Sequence, residues 1–161
     1  AHPDVWYEEG IKIITARLNR YIHGAKSTDY IRAIVTLKDA EAAGAVESVY
    51  VNKDDHVLEG TTSNLFIVRD NTVISPSEDI LPGITRDVLI DILKPDFPVE
   101  LQPVTRQELL DSDKAFITSS TKEVVPVVQV DDQNIADRLP GPVTRKVMEL
   151  FRNYTDNYGT A

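Results

Sequence analysis

The sequence contains no cysteine among its 161 residues, so disulfide bonds and thiolate metal sites are excluded. Its three histidines, His2, His23 and His56, share no metal-ligand spacing, and we therefore predict no metal site. No apolar run approaches the roughly 18 residues that a membrane-spanning helix requires. No cleavable signal segment is recognisable, and we expect a cytoplasmic protein that does not associate with membranes.

Basic residues are also scarce. Lysine and arginine total 17 against 26 acidic residues, which gives a formal net charge of -9. An acidic surface repels phosphate backbones, so we predict no binding of nucleic acid. Hydrophobic residues make up 42% of the chain, and this composition and length predict a globular protein with a single domain over residues 1–161.

The apolar pattern predicts strands and helices that do not alternate regularly. Predicted strands lie at residues 11–18, 48–51, 56–58, 65–68, 72–76, 114–118 and 124–130. Predicted helices lie at residues 29–43, from 84 to 93, within 103–111, and at 142–154. Short turns join several of the strands directly, which indicates an α+β fold with a mainly antiparallel sheet.

Four polar stretches stand out at the ends of these elements. They are GAKSTDY at 24–30, EGTTSN at 59–64, LPGITR at 81–86 and TSST at 118–121. Each has an ordinary explanation, because an isolated lysine is usually solvated and the others can be turns or caps. Together they supply an amine, an acid, and amides and hydroxyls that can hold a phosphate. This set fits pyridoxal 5'-phosphate, whose aldehyde, ring nitrogen and phosphate need those partners.

The same stretches resemble a known family. EGTTSNLF, LPGITRDVLIDIL and ITSSTKEVVPV occur in this order and resemble the class IV, fold type IV, pyridoxal-phosphate aminotransferases. That group includes branched-chain aminotransferases, D-amino-acid aminotransferases and aminodeoxychorismate lyases. Lys26 precedes Glu59 by 59 - 26 = 33 positions, as the family's layout requires. The resemblance implies an α+β fold whose mainly antiparallel sheet forms a pseudo-barrel with packed helices.

The resemblance also implies a role for each site residue. Lys26 would be the catalytic residue that bonds to the cofactor aldehyde and moves a proton on the substrate. Glu59 would face the pyridine nitrogen, and Asn64 would brace its loop. The other cofactor contacts would come from Leu81, Gly83, Ile84, Thr85 and Ser120. Ser119 and Thr121 would lie near the substrate.

Only the larger, C-terminal domain of the family is matched, over about residues 6–152. We therefore expect the small N-terminal domain to be missing, and the chain to be a fragment or half of a split enzyme. The missing domain would act as a partner in cis or in trans, and the resemblance further implies a homodimer. Alone, the chain is expected to bind cofactor weakly and to turn over little.

Three functions remain open at this point. The first is an aminotransferase that exchanges an amino group between an amino acid, branched-chain or D, and a 2-oxo acid. The second is aminodeoxychorismate lyase, which eliminates pyruvate, and the third is a catalytically silent binding or assembly domain. TSST is closer to the hydroxyl-rich form of D-amino-acid enzymes than to the form usual in branched-chain enzymes, but it does not establish the substrate.

Overall fold

The computed structural model describes residues 2–17 and 31–158. The helices of these residues are α1 (Val5–Glu8), α2 (Ile31–Ala42), α3 (Ile84–Leu93), α4 (Arg106–Leu110) and α5 (Pro142–Asp156). The strands are β1 (Ile11–Arg17), β2 (Glu47–Val51), β3 (His56–Gly60), β4 (Asn64–Arg69), β5 (Thr72–Ser75), β6 (Val99–Leu101), β7 (Val104–Thr105), β8 (Lys114–Ser119), β9 (Glu123–Val130) and β10 (Gln133–Asn134).

Six of the strands close into a ring. The sheet order is β6-β5-β4-β8-β9-β1-β2-β3-β7, and a further pairing joins β3 to β4. Within the ring β1 pairs in parallel with β2 and with β9, whereas the other four pairings are antiparallel. The predicted α+β fold with a mainly antiparallel, barrel-like sheet is confirmed.

The hairpins follow from local turn chemistry. Asp70 and Asn71 join β4 to β5 with φ angles of 47° and 65°. A two-residue hairpin turn needs positive φ at both central positions, and Asp and Asn tolerate this conformation better than most residues. The hairpin of β2 and β3 is antiparallel as predicted, and it ends at Glu59 and Gly60.

Two hydrophobic clusters lie on opposite faces of the ring, because successive side chains of a strand point to opposite sides. Along β4, Leu65 and Ile67 belong to one cluster, whereas Phe66 and Val68 belong to the other. The second cluster also contains residues of α3 and α5, including Leu89 and Val147 of the two helices. These helices therefore cover the outer face of β4 and β8.

Element bounds differ little from the sequence predictions. The helix predicted within residues 103–111 is α4, which begins only at Arg106 because Thr105 caps it. The strands β6, β7 and β10 and the short α1 were not predicted, since they are two to four residues long. Within residues 2–17 and 31–158, no helix combines the length and apolarity needed to cross a bilayer.

Candidate active site

A cavity of about 440 Å³ lies where the β3–β4 loop, the start of α3 and the β8–β9 turn meet. Its lining consists of Glu59, Gly60, Thr61, Thr62, Ser63, Asn64, Leu81, Pro82, Gly83, Ile84, Thr85, Thr118, Ser119, Ser120 and Thr121. Three of the four polar stretches of the sequence therefore line one cavity. Lys26 belongs to the fourth stretch and lies outside the described residues.

Strand register brings these distant stretches together. Glu59 of β3 is the register partner of Asn64 of β4, and Asn64 is the register partner of Thr118 of β8. Three neighbouring strands thus present polar residues at the same end of the sheet. The sequence predicted the residues, but it could not predict this register.

Glu59 is held in a fixed orientation. Its side chain is buried, with 3% of the residue exposed, and its Oε2 accepts a hydrogen bond from the backbone N–H of Leu81 at 3.0 Å. A buried carboxylate has to be hydrogen-bonded to offset its desolvation. The bond to Leu81 therefore supports the acid at the cavity wall and fixes where it points.

The start of α3 presents backbone N–H groups to the cavity. Gly83 is the N-cap, with an extended backbone and no side-chain cap. Its carbonyl accepts the backbone N–H of Asp87 at 2.9 Å. The N–H groups of the first turn have no intrahelical acceptor, and the helix dipole favours an anion there. Thr85 is buried at the same helix start, while Ile84 is 79% exposed.

Gly83 is required by the close approach of Asn64. A Cβ added to Gly83 would overlap the side-chain oxygen of Asn64. Asn64 in turn donates from Nδ2 to the carbonyl of Leu81 at 2.9 Å. This contact agrees with the prediction that Asn64 braces the loop, and it ties β4 to the segment that precedes α3.

Arg86 anchors the first turn of α3 from beneath, a contact that the sequence reasoning missed. Its Nε donates to Ser75 Oγ at 3.0 Å, and its Nη2 donates to the carbonyl of Pro76 at 2.9 Å. Burial lowers the pKa of the guanidinium, while the neighbouring Asp87 carboxylate acts in the opposite direction. The start of α3 is thereby fastened to the end of β5.

The β8–β9 turn supplies hydroxyl groups. Ser119 Oγ accepts the backbone N–H of Lys122 at 3.1 Å and lies 3.4 Å from Thr121 Oγ1. Thr118 also lines the cavity, and its buried Oγ1 has no hydrogen-bond partner within the described part of the chain. Thr118 belongs to the TSST stretch that the sequence singled out, but no individual role was predicted for it.

Glu47 and Lys122 were also missed. Glu47 lies behind the β3–β4 loop with no exposed surface, and Lys122 reaches it from the β8–β9 turn. An acid that begins an otherwise largely apolar strand, ESVYV, is a sequence signal that could have pointed to Glu47. Lys122 carries no such signal, because a lysine in a turn is usually solvated.

The donor set fits a phosphorylated pyridine cofactor. A buried acid, a helix N-terminus and a hydroxyl-rich turn face the same space, and the buried hydroxyl of Thr118 adds a donor there. An acid suits a protonated ring nitrogen, and amides with hydroxyls suit a phosphate.

Comparison with known proteins agrees with this chemistry. The family described as amino-transferase class IV matches residues 3–130. A D-alanine aminotransferase from Bacillus licheniformis is 33% identical over 155 residues, covering 94% of this chain and 54% of that protein. A branched-chain-amino-acid aminotransferase from Pseudomonas aeruginosa is 31% identical over 152 residues, covering 89% of this chain and 50% of that protein.

Solved structures give the same relationship. The T.th. branched-chain amino acid aminotransferase, complexed with N-(5'-phosphopyridoxyl)-L-glutamate, has a TM-score of 0.85 and 32% identity. The match covers 91% of this chain and 52% of that one. A Legionella pneumophila protein assigned as a 4-amino-4-deoxychorismate lyase has a TM-score of 0.82 and 29% identity, covering 89% of this chain and 55% of its own.

The chain spans about half the length of these relatives. The family match nevertheless extends over residues 3–130, and its three polar stretches converge on one cavity. The chain therefore belongs to the class IV aminotransferases.

Proposed function

We propose that the full-length protein is a pyridoxal-phosphate-dependent aminotransferase, and that this chain forms the larger part of its cofactor site. The supporting observation is the convergence of Glu59, the start of α3 and the β8–β9 turn on one cavity. The transferred group would be the amino group of an amino acid, and the acceptor a 2-oxo acid. When bound, the cofactor would supply an electron sink for the bond broken at the substrate Cα.

Glu59 would hold a proton at the pyridine nitrogen. Its carboxylate is buried and oriented by the Leu81 N–H, so it can act without rearrangement. A carboxylate in a buried site stabilises a positive charge more strongly than it would in water. Leu81 would pack against the ring from the same segment.

The phosphate would lie at the start of α3. Backbone N–H groups of Gly83, Ile84 and Thr85 would donate to it, and the hydroxyl of Thr85 would add a further donor. Ser120 would contribute from the β8–β9 turn, which lines the same cavity.

Lys26 would bond to the cofactor aldehyde and then move a proton at the substrate Cα, acting first as base and then as acid. This role rests on the sequence motif, because Lys26 lies outside the described residues. Ser119 and Thr121 would lie near the substrate. Relatives with branched-chain and with D-alanine activity in their names match at similar identity, so both substrate classes remain within the proposal.

The remaining parts of the proposal concern partners. The chain spans about half of its relatives, so the other half would complete the phosphate site and substrate pocket in cis or in trans. A homodimer is proposed for the full-length protein.

The aminotransferase is tested with the full-length protein and pyridoxal 5'-phosphate. We expect transfer from a branched-chain L-amino acid or D-alanine to 2-oxoglutarate, lost in Lys26→Ala and retained in Lys94→Ala. Lys94 is a suitable control because it is an exposed lysine of the α3 C-terminus that pairs with Asp91. The role of Lys26 would be contradicted if Lys26→Ala kept the transfer activity, or if Lys94→Ala lost it as well.

The second candidate is aminodeoxychorismate lyase, favoured by the similarity to the Legionella pneumophila protein. The same lysine would then assist elimination rather than transfer. Release of pyruvate from aminodeoxychorismate, with no amino transfer from any amino acid supplied, would replace the first proposal with this one.

A further inference from the structure

A fully buried carboxylate lies behind the cavity wall. Glu47 has no exposed surface, and its Oε1 accepts the backbone N–H groups of Ser48 at 3.1 Å and Thr61 at 3.2 Å, as well as the Thr61 hydroxyl. Its Oε2 accepts the hydroxyls of Thr62 at 2.7 Å and Ser63 at 3.1 Å. Glu47 therefore binds each of the three consecutive residues that form the β3–β4 loop.

Gly60 packs closely against both Glu47 and the β3–β4 loop. A Cβ added to Gly60 would overlap Ser63 Oγ and lie 3.0 Å from Glu47 Cγ. Interiors are packed closely enough that displacing one such group displaces its neighbours. The side chain of Glu47 therefore contacts the loop through both hydrogen bonds and packing.

Lys122 connects this loop to the opposite cavity wall. Its Nζ lies 3.5 Å from Glu47 Oε2 and donates to Thr62 Oγ1 at 2.6 Å, with 12% of the side chain exposed. Its backbone is fastened as well, because its N–H donates to Ser119 Oγ and its carbonyl accepts the hydroxyl of Tyr7 at 3.1 Å. One lysine thereby joins α1, the β3–β4 loop and the β8–β9 turn.

The charges of Glu47 and Lys122 also affect how well the cavity can hold an anion. The same cavity presents a helix N-terminus and hydroxyl groups, which suit an anion. An uncompensated carboxylate directly behind the wall would repel that anion, because Coulomb interactions act over several ångströms in a partly buried site. The ammonium of Lys122 cancels the charge of Glu47.

We propose that Glu47 and Lys122 are positioning residues of the cofactor site: the pair fixes the spacing of the two hydroxyl-bearing walls and neutralises the charge behind the β3–β4 loop, which lines the same cavity as the proposed phosphate site. This inference rests on the proposed function. It differs from a purely structural ion pair in one measurable respect. A structural pair affects all ligands alike, whereas this pair affects the phosphate-bearing ligand most.

The test measures dissociation constants of the full-length protein for pyridoxal 5'-phosphate and for pyridoxal, which lacks the phosphate. We expect Lys122→Met to weaken binding of the phosphorylated ligand on the order of tenfold and binding of pyridoxal by less than about twofold. Lys122→Arg keeps the charge and should keep both affinities within about threefold of the wild type.

The double variant Glu47→Gln/Lys122→Met removes both charges. We expect it to recover most of the phosphate-dependent loss of Lys122→Met, since no uncompensated carboxylate remains. Glu47→Gln keeps the length of the side chain and an acceptor oxygen for the β3–β4 loop. Thermal unfolding of the double variant, measured first, establishes that it is folded before its two affinities are compared.

Lys114→Met is the matched control. Lys114 is on β8, has 15% of its side chain exposed, and pairs with Asp137 outside the cavity lining. Its removal should lower the thermal stability without changing the ratio of the two affinities.

An unchanged ratio in Lys122→Met, or no recovery in the double variant, would overturn the inference. The proposed function fails in a different way: the unmodified protein would then bind neither ligand, or would bind pyridoxal 5'-phosphate without any dependence on Lys26.

Discussion

At the scale of single residues, the site consists of polar groups whose orientation is fixed by backbone partners. Glu59 is held by the N–H of Leu81, and the Leu81 carbonyl is held by the side chain of Asn64. A charged group that is already oriented does not have to reorganise when charge develops near it. A substitution that removes the charge of Glu59 but keeps the shape of its side chain therefore isolates its electrostatic role.

For Glu59→Gln we expect cofactor binding within about threefold of the wild type and kcat lowered on the order of a hundredfold. The amide oxygen of glutamine can still accept the Leu81 N–H, so the segment before α3 keeps its position. The amide has no charge to hold a proton at the pyridine nitrogen. Steady-state transfer kinetics and cofactor titration measure the two effects separately.

Glu100→Gln, an exposed acid on β6, is the control for the change in net charge. Unimpaired kcat in Glu59→Gln would contradict the electrostatic role, and loss of binding without loss of kcat at saturation would contradict it as well.

At the scale of elements, the starts of α3 and α4 differ in how their first N–H groups are capped. The N-cap of α3 is Gly83, which provides no side-chain acceptor for the first N–H groups, whereas α4 begins with a complete capping box. In that box Thr105 Oγ1 accepts the Glu108 N–H, and the Glu108 carboxylate accepts the Thr105 N–H at 2.8 Å. The first N–H groups of α4 therefore have a side-chain acceptor from the cap, whereas those of α3 have none.

For Gly83→Ala we expect a destabilisation of about 1–3 kcal/mol and weaker cofactor binding, because the new Cβ would overlap Asn64. The same substitution in an Asn64→Ala background removes the overlap and should cost less than in the wild-type background. Chemical denaturation of the four proteins completes the cycle. Equal costs in both backgrounds would show that the approach of Asn64 is not what excludes a side chain at Gly83.

For Glu108→Gln we predict a pH-dependent loss of stability. The backbone N–H of Thr105, followed by the Thr105 hydroxyl and Arg69, lowers the pKa of the Glu108 carboxyl below its ordinary value in spite of an opposing contribution from burial. A lowered pKa in the folded state stabilises the fold above the unfolded pKa of about 4.3, and this contribution is lost as the pH falls through the folded pKa. Unfolding free energies of wild type and Glu108→Gln should therefore differ at pH 6 and converge in strong acid.

A gap between the two proteins that is constant from pH 6 to strong acid would assign the effect to lost hydrogen bonds alone. Glu149→Gln, an exposed acid on α5, controls for general charge effects.

At the scale of the whole molecule, the closed ring brings the ends of three neighbouring strands, β3, β4 and β8, to the cavity. The β3–β4 pairing that completes the ring is between Glu59 and Asn64, and both residues line the cavity. The strand pairing that closes the ring therefore also places two of the cavity-lining residues side by side. The chain still spans only about half the length of its relatives.

We expect the isolated 161-residue chain to bind pyridoxal 5'-phosphate at least tenfold more weakly than the full-length protein, because only part of the ligand's surface is buried. Transfer activity should be lower still, since the substrate pocket is incomplete. Parallel titration and rate measurements check this, and equal activity of the two proteins would contradict it.

The sequence predicted the main elements well where the signal is local. The strand at Ile11–Arg17 and the helices α3 and α5 have strong periodicity, flanking Gly or Pro, and bounds within two residues of those predicted. The short β6, β7 and β10 have too few residues for a periodic pattern, and they form because neighbouring strands offer hydrogen bonds.

Residue types and motifs, by themselves, determined the family, the acid at Glu59 and the hydroxyls of the β8–β9 turn, because each is written in consecutive residues. Only the tertiary structure decided that Glu47 and Lys122 meet behind the cavity, since 75 positions separate them and the contact depends on strand order and register. Arg86 beneath α3 and the buried hydroxyl of Thr118 were decided in the same way. Long-range contacts of this kind follow from how strands pair around the ring, which no local pattern encodes.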